Sequence, residues 1–205
     1  MKIGIINLNI NNLSSIYNSL SKCNYKVKII TNNEKKFNYD LVVLPGVGSF
    51  KSAMHYIKKN HIDEKILEYL SKNNARLYGI CLGMQLLFEK SNEFGNCEGL
   101  KIIKGKVKKI PQNKAKMSNN IGWNKILFNN KIHTKSNQLK GNYFYFVHSY
   151  YCDPLNHNNI FSLSNLNNFT FCSSIIDNKI FATQFHPEKS GLSGKKFIKS
   201  LKYFF

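Results

Sequence analysis

The chain has 205 residues, 42% of them hydrophobic and 20% charged, which is enough to bury a sizeable core as one domain spanning 1–205. No apolar run approaches the roughly 18 to 20 residues that cross a bilayer, so a membrane-spanning helix is excluded. Lys and Arg outnumber Asp and Glu by 30 to 11, giving a net charge of +19, yet Arg76 is the only arginine and the lysines are spread along the chain. Readers of nucleic acid favour arginine for bidentate contacts, so the excess is read as compositional bias towards Lys, Asn, Ile, Phe and Tyr, and not as a nucleic-acid footprint.

The opening segment, Met1-Lys2-Ile3-Gly4-Ile5-Ile6-Asn7-Leu8, turns polar too soon for a signal peptide and reads as a first strand over 3–8. Leu13, Ile16, Tyr17 and Leu20 fall at helical spacing and predict a helix over 12–22. Val27, Ile29 and Ile30 mark a second strand. Leu41-Val42-Val43-Leu44 is a continuous apolar run, typical of a strand covered on both faces, and it ends at Pro45-Gly46-Val47-Gly48. Ser49 then suits the cap of a helix carrying Phe50, Met54 and Ile57. A further helical face is expected from Ile62, Ile66, Leu67 and Leu70. Leu77-Tyr78-Gly79-Ile80 is a third apolar strand, followed at once by a predicted helix over 82–90. Repeated β-α units of this kind predict an α/β fold with a doubly wound, mainly parallel sheet and helices on both faces. After Gly99 the segments at 101–110, 124–128, 143–151, 160–164, 169–176 and 180–185 are short, β-branched or aromatic, and predict extra, partly antiparallel strands in the C-terminal half. The polar stretch Asn129 to Asn142 reads as an exposed, mobile connection, and a last helix is expected over 193–204.

Gly79-Ile80-Cys81-Leu82-Gly83 carries the strongest chemical signal. It lies between an apolar strand and a helix, the context of a nucleophile elbow with Cys in place of Ser. Glycines on either side admit a tight turn. The thiol would then stand at a helix N-terminus, which favours thiolate, and the Leu82 amide would point at a developing oxyanion. Glycines 46 and 48, ending the neighbouring strand, suit a second source of N–H groups for such a hole. The other four cysteines, Cys23, Cys97, Cys152 and Cys172, lie in no elbow and read as structural. Five scattered cysteines without a C-x-x-C pair point to a reducing compartment, the cytoplasm, and not to a disulfide framework. A nucleophilic Cys needs a base or imidazolium partner. Of six histidines, His186 has the best context, because Pro187 biases it towards extended backbone and Glu188, two residues on, can orient its ring. His55 and His61 read as solvated, and no spacing suggests a metal site or a cofactor.

G-I-C-L-G-M-Q-L-L, L-P-G-V-G-S-F, Y-F-V-H-S-Y and Q-F-H-P-E-K-S occur in one order along the chain. Together they resemble the class I (triad) glutamine amidotransferases, and among these the glutaminase subunits of imidazole glycerol phosphate synthase. The resemblance covers essentially the whole chain. It implies that Cys81 attacks the side-chain amide of L-glutamine, that His186 shuttles protons and that Glu188 orients it. It implies an oxyanion hole from Gly46, Val47, Gly48 and Leu82, and a glutamine site lined by Gln85, Glu93, His148, Ser149 and Tyr150. Glu93 suits the substrate ammonium. Trp123, Asn124 and Tyr145 match positions near a partner interface. The partner implied is a barrel-fold cyclase or synthase subunit in a heterodimer, which would use the released ammonia in histidine biosynthesis.

Two segments depart from the family pattern. Asn7-Leu8-Asn9-Ile10-Asn11-Asn12 replaces Asp-Tyr-Gly-x-Gly-Asn, and Asn119-Asn120-Ile121 replaces Pro-His-Met before Gly122-Trp123-Asn124. Both spare the triad. They bear on partner and pathway, not on glutaminase chemistry, and leave open a paralogue that supplies ammonia for nucleotide-sugar or surface-glycan amination. Two rival readings are a Cys–His hydrolase of γ-glutamyl compounds that works without a partner, and a non-catalytic module that binds anions or nucleic acid.

Overall fold

The computed structural model describes residues 1–9, 13–128 and 142–204. Five parallel strands form the centre: β1 (Lys2–Ile6), β2 (Lys26–Ile30), β3 (Leu41–Leu44), β4 (Leu77–Ile80) and β13 (Ile180–Thr183), in the order β2-β1-β3-β4-β13. The first half is built of β-α units, with α1 (Leu13–Ser21), α2 (Phe50–Lys59), α3 (Ile62–Ser71) and α4 (Leu82–Leu86); a short α5 (Gln112–Ala115) and the last α-helix, α6 (Gly191–Ser200), follow. Every residue of β3 and β4 is buried, as their unbroken apolar runs require, because side chains on both faces meet helices. Val42, Leu44 and Leu77 face a core formed with Met54, Ile57 and Ile66 of α2 and α3. Leu41, Val43, Tyr78 and Ile80 face the opposite core, with Ile16 and Leu20 of α1 and Phe197 and Ile198 of α6. That second core is strongly aromatic. Phe181 stacks on Phe204 at 4.5 Å and on Tyr78 at 5.8 Å between ring centroids.

The C-terminal half adds antiparallel strands, as expected. β12 (Phe169–Asp177) runs against β13, and β10 (Tyr150–Pro154) pairs with both β12 and β7 (Ile103–Lys109). β11 (Ile160–Leu166) connects β12 to β8 (Asn120–Phe128), which pairs with β9 (Tyr143–His148). Two short strands, β5 (Phe88–Ser91) and β6 (Cys97–Glu98), were not anticipated; β5 joins β7 in parallel. The expected connection at 129–142 lies outside the described residues, apart from Asn142.

Two expectations need correction. The helix after β4 stops at Leu86 instead of 90: Phe88 already pairs with Ile103 across to β7, and the Leu86 and Phe88 carbonyls accept from the amides of Leu100 and Lys101. All five α4 residues are buried, so this is a core helix. On α3, Leu67 is 53% exposed, while Tyr69 is buried in its place with its hydroxyl donating to the Tyr39 carbonyl at 3.1 Å. By contrast Ser49 caps α2 as expected, its side chain accepting from Ser52 N at 3.3 Å.

Candidate active site

Three turns meet at the carboxyl edge of three adjacent parallel strands. Residues 45–48 follow β3, Cys81 follows β4, and residues 184–188 follow β13. Cys81 holds φ 53° and ψ −108°, which no unstrained L-residue adopts. The turn is over-determined: the Cys81 amide donates to Thr183 O at 2.7 Å, and the Cys81 carbonyl accepts from Met84 N and Gln85 N. Backbone held this way at a sparsely populated conformation is a feature of functional sites. Close packing explains the glycines. A Cβ on Gly83 would overlap the Leu44 carbonyl oxygen, and one on Gly46 would sit 2.5 Å from Leu82 Cβ. The turn after β3 therefore rests directly on the elbow. With only five residues, α4 carries little of the dipole of a long helix.

His186 enters from the next strand. Its extended backbone (φ −99°, ψ 95°) is as Pro187 demands. Glu188 does not continue that extension but lies in a 3-10 turn, Pro187–Lys189, that begins at the proline. The turn still brings the two side chains together: Nδ1 and Oε1 are 2.7 Å apart, with both side chains 1% exposed. Because the carboxylate can only accept, Nδ1 carries a proton and Nε2 is the nitrogen left for chemistry. Nε2 is buried and has no hydrogen-bond partner among the described residues. Burial alone pushes the His186 pKa down. The nearby Cys81 sulfur and the Glu188 carboxylate outweigh it and raise the pKa from 6.5 to about 10, so the imidazolium is favoured. The carboxylate therefore stands behind the ring, and Cys81 and His186 line one cavity.

A cavity of 370 Å³ opens in front of the sulfur, a size typical of small-molecule sites. Val47, Gly48 and Leu82 line it, while Gly46 packs beneath them. Gln85, Glu93, His148, Ser149 and Tyr150 all reach its wall. Glu93 Oε2 accepts from the Phe50 amide, the first of α2, at 2.6 Å. The N-terminus of α2 thus holds the carboxylate on the cavity wall. Gln85 Nε2 donates to Tyr150 O at 3.0 Å and to Gln184 Oε1 at 3.1 Å, so its N–H groups are used within the protein and it can offer a ligand only its carbonyl oxygen. His148 is fixed as a neutral ring. Its Nδ1 lies 2.8 Å from Tyr150 O, an acceptor, so Nε2 accepts from Asn120 Nδ2 at 3.0 Å. Burial, the main cause, lowers its pKa to about 4.

A thiol at a strand end, an imidazole with a carboxylate behind it, and a cavity lined by Cys81, His186 and Glu93 are the parts that an acyl-transfer site requires. The family model for glutamine amidotransferase class-I matches residues 5–203. The chain belongs to that family. It is 37% identical over 197 residues to the imidazole glycerol phosphate synthase subunit HisH of Prochlorococcus marinus strain NATL2A, covering 96% of this chain and 93% of that one. It is 38% identical over 198 residues to the HisH subunit of Caldanaerobacter subterraneus subsp. tengcongensis, covering 97% and 96%. Within the family it groups with these HisH subunits. A solved structure titled "Structure of PurLQS from Thermotoga maritima" has the same fold at TM-score 0.75 and 17% identity, over 100% of this chain and 99% of that one.

In this amidotransferase the departures from the family pattern have physical substitutes. Asn9 stands where the pattern has its first glycine and adopts φ 54°, a left-handed conformation that Asn tolerates, with its amide bonded to Asn7 Oδ1 at 2.8 Å. Ile10 to Asn12 lie outside the described residues. Asn120 supplies the partner of His148, and Asn119 Oδ1 accepts from Ser149 Oγ at 2.8 Å on the cavity wall. Trp123 is 53% exposed and packs edge-on against Tyr145 at 6.0 Å. With Ile121 and Tyr143 these rings form an open face on β8–β9 that runs into the cavity through Ile121 and Val147. Asn124 instead reaches β11, donating to Asn165 O at 2.7 Å. Sequence reasoning gave no role to Ser190, whose hydroxyl accepts from Tyr145 N at 2.9 Å and donates to His186 O at 2.6 Å, tying the histidine turn to β9. Gln184 was likewise unassigned although it stands inside the quoted Q-F-H-P-E-K-S motif. A buried polar residue beside a candidate base was the available signal.

Proposed function

We propose that this amidotransferase is the glutaminase subunit of imidazole glycerol phosphate synthase, hydrolysing L-glutamine to glutamate and ammonia through a thioester at Cys81. The observation that carries this reading is the buried Cys81–His186–Glu188 constellation at the head of the 370 Å³ cavity. Substrate enters with its ammonium towards the free oxygen of Glu93 and the carbonyl of Gln85, and its side-chain amide towards Cys81. The thiolate attacks the amide carbon, forming the C–S bond, and the charge on oxygen is met by amides of the Val47–Gly48 turn and of Leu82. His186 Nε2 gives its proton to the amide nitrogen, the C–N bond breaks and ammonia leaves. Water then adds to the thioester, giving its proton to His186. The C–S bond breaks, releasing glutamate and regenerating the thiolate.

The HisH relatives are named as subunits of a synthase, which supports a partner that consumes the ammonia. We assign that partner a barrel fold, place the heterodimer contact on the β8–β9 face around Trp123 and Tyr145, and place the pair in the cytoplasm, in keeping with five free cysteines. Neither HisH relative favours sugar amination or a non-catalytic role. The test is the reconstituted complex carrying Cys81→Ala. Glutamine-dependent synthesis of imidazole glycerol phosphate should vanish while ammonia-dependent synthesis persists. Retention of the first, or loss of both in an assembled complex, would refute the division of labour.

A further inference from the structure

Gln184 is wholly buried between β13 and His186. Its backbone amide donates to Ser173 O at 2.8 Å, pinning it to β12. Its side-chain Nε2 stands 3.6 Å from Cys81 Sγ, and its Oε1 accepts from Gln85 Nε2 at 3.1 Å. The direction of this amide is determined by its neighbours. Gln85 Nε2 also donates to the Tyr150 carbonyl at 3.0 Å, which only a nitrogen can do. Gln184 must therefore turn its oxygen to Gln85, and its NH₂ faces the sulfur. The surroundings of the sulfur then divide by charge state. As a thiol it has an acceptor, Val147 O at 3.8 Å. As a thiolate it has a donor in Gln184 Nε2 and faces the imidazolium of His186. A hydrogen bond to an ionised acceptor is stronger than one to a neutral acceptor, so this donor favours the anion.

We propose that Gln184 is a further catalytic residue, the amide donor that stabilises the Cys81 thiolate. This rests on Cys81 being the nucleophile, as proposed above, and the experiment separates the two. The full-length chain is alkylated with iodoacetamide from about pH 5 to about pH 10, the range over which activated and ordinary thiols ionise, and modification of the Cys81 peptide is followed by mass spectrometry. The same is done for Gln184→Met, of similar length without a donor, and Gln184→Glu, which places an acceptor against the sulfur. Of the titratable groups acting with Cys81, His186 on the adjoining turn and Cys152 on β10 are unchanged in both variants. The midpoint of the alkylation profile should rise by about one unit in Gln184→Met, a tenfold loss of thiolate below it, and further in Gln184→Glu. A residue that only fills space would leave the midpoint where it was.

An unreactive Cys81 in the unaltered chain would overturn the nucleophile assignment and this proposal with it. A reactive Cys81 whose midpoint is the same in folded variants would overturn the role of Gln184 alone. Failure of both variants to melt cooperatively would assign Gln184 to packing and overturn it equally.

Discussion

Replacing Glu188 by Gln keeps the shape of the side chain and its carbonyl acceptor but removes the negative charge behind His186. That charge lies 2.7 Å from Nδ1 with both side chains 1% exposed, so solvent screens it little. Removing one partner's charge from a buried pair typically costs about 3 to 5 kcal/mol. The imidazolium is the group proposed to act on the Cys81 sulfur, so the loss falls on the reacting centre. Felt in full at the transition state, at tenfold per 1.36 kcal/mol, it is roughly 10²- to 10⁴-fold in glutamine turnover. The assay is glutamate release by the complex with its synthase partner, with ammonia-dependent synthesis as the control for assembly. Ammonia-dependent activity should be unchanged. A glutamine-dependent loss of less than about tenfold would refute the reasoning that the carboxylate charge, and not only its shape, sustains the imidazolium.

The folded pKa of His186, about 10, lies above its ordinary 6.5. Its protonation therefore stabilises the fold fully below about pH 6.5, and the contribution fades as pH rises through about 10. Denaturant unfolding of the chain and of His186→Gln should show a stability gap that narrows across that window; a gap that stays flat or widens would contradict the assignment. Gly83→Ala should lose at least about 2 kcal/mol in thermal unfolding, because the new Cβ meets backbone that cannot yield; a near-neutral result would mean the β3 turn does not rest on the elbow. Trp123→Ala, at a half-exposed position, should leave stability of the isolated chain within about 0.5 kcal/mol while weakening capture of the partner in a titration; unchanged affinity would place the interface elsewhere.

The parallel centre was legible because β3 and β4 are buried on both faces, and a strand covered on both sides must be apolar at every position and not at alternate ones. The elbow was legible because only glycine fits where Gly83 meets the Leu44 carbonyl. The end of α4 was not. Leu87 and Phe88 are as apolar as the helix before them, and the strand begins there because β7, distant in sequence, offers a partner. Leu67 shows the same limit. Spacing placed it on the buried face, but the core under α3 accommodates Tyr69, whose hydroxyl finds carbonyls at Tyr39 and Arg76. Within the candidate site, Cys81, His186 and Glu188 stood out by sequence context. Asn119, Asn120 and Ser190 did not, since their roles depend on pairings with Ser149, His148 and Tyr145 across strands that only the folded register brings together.

The proposed function stands on a covalent bond between the glutamine amide carbon and the sulfur at the end of β4. Rapid acid quench of the turning-over complex, followed by peptide mass spectrometry, reads that bond directly. The γ-glutamyl adduct should appear on the peptide carrying Cys81 and disappear in His186→Gln. Turnover with no adduct at Cys81, or with the adduct on another cysteine, would contradict the account.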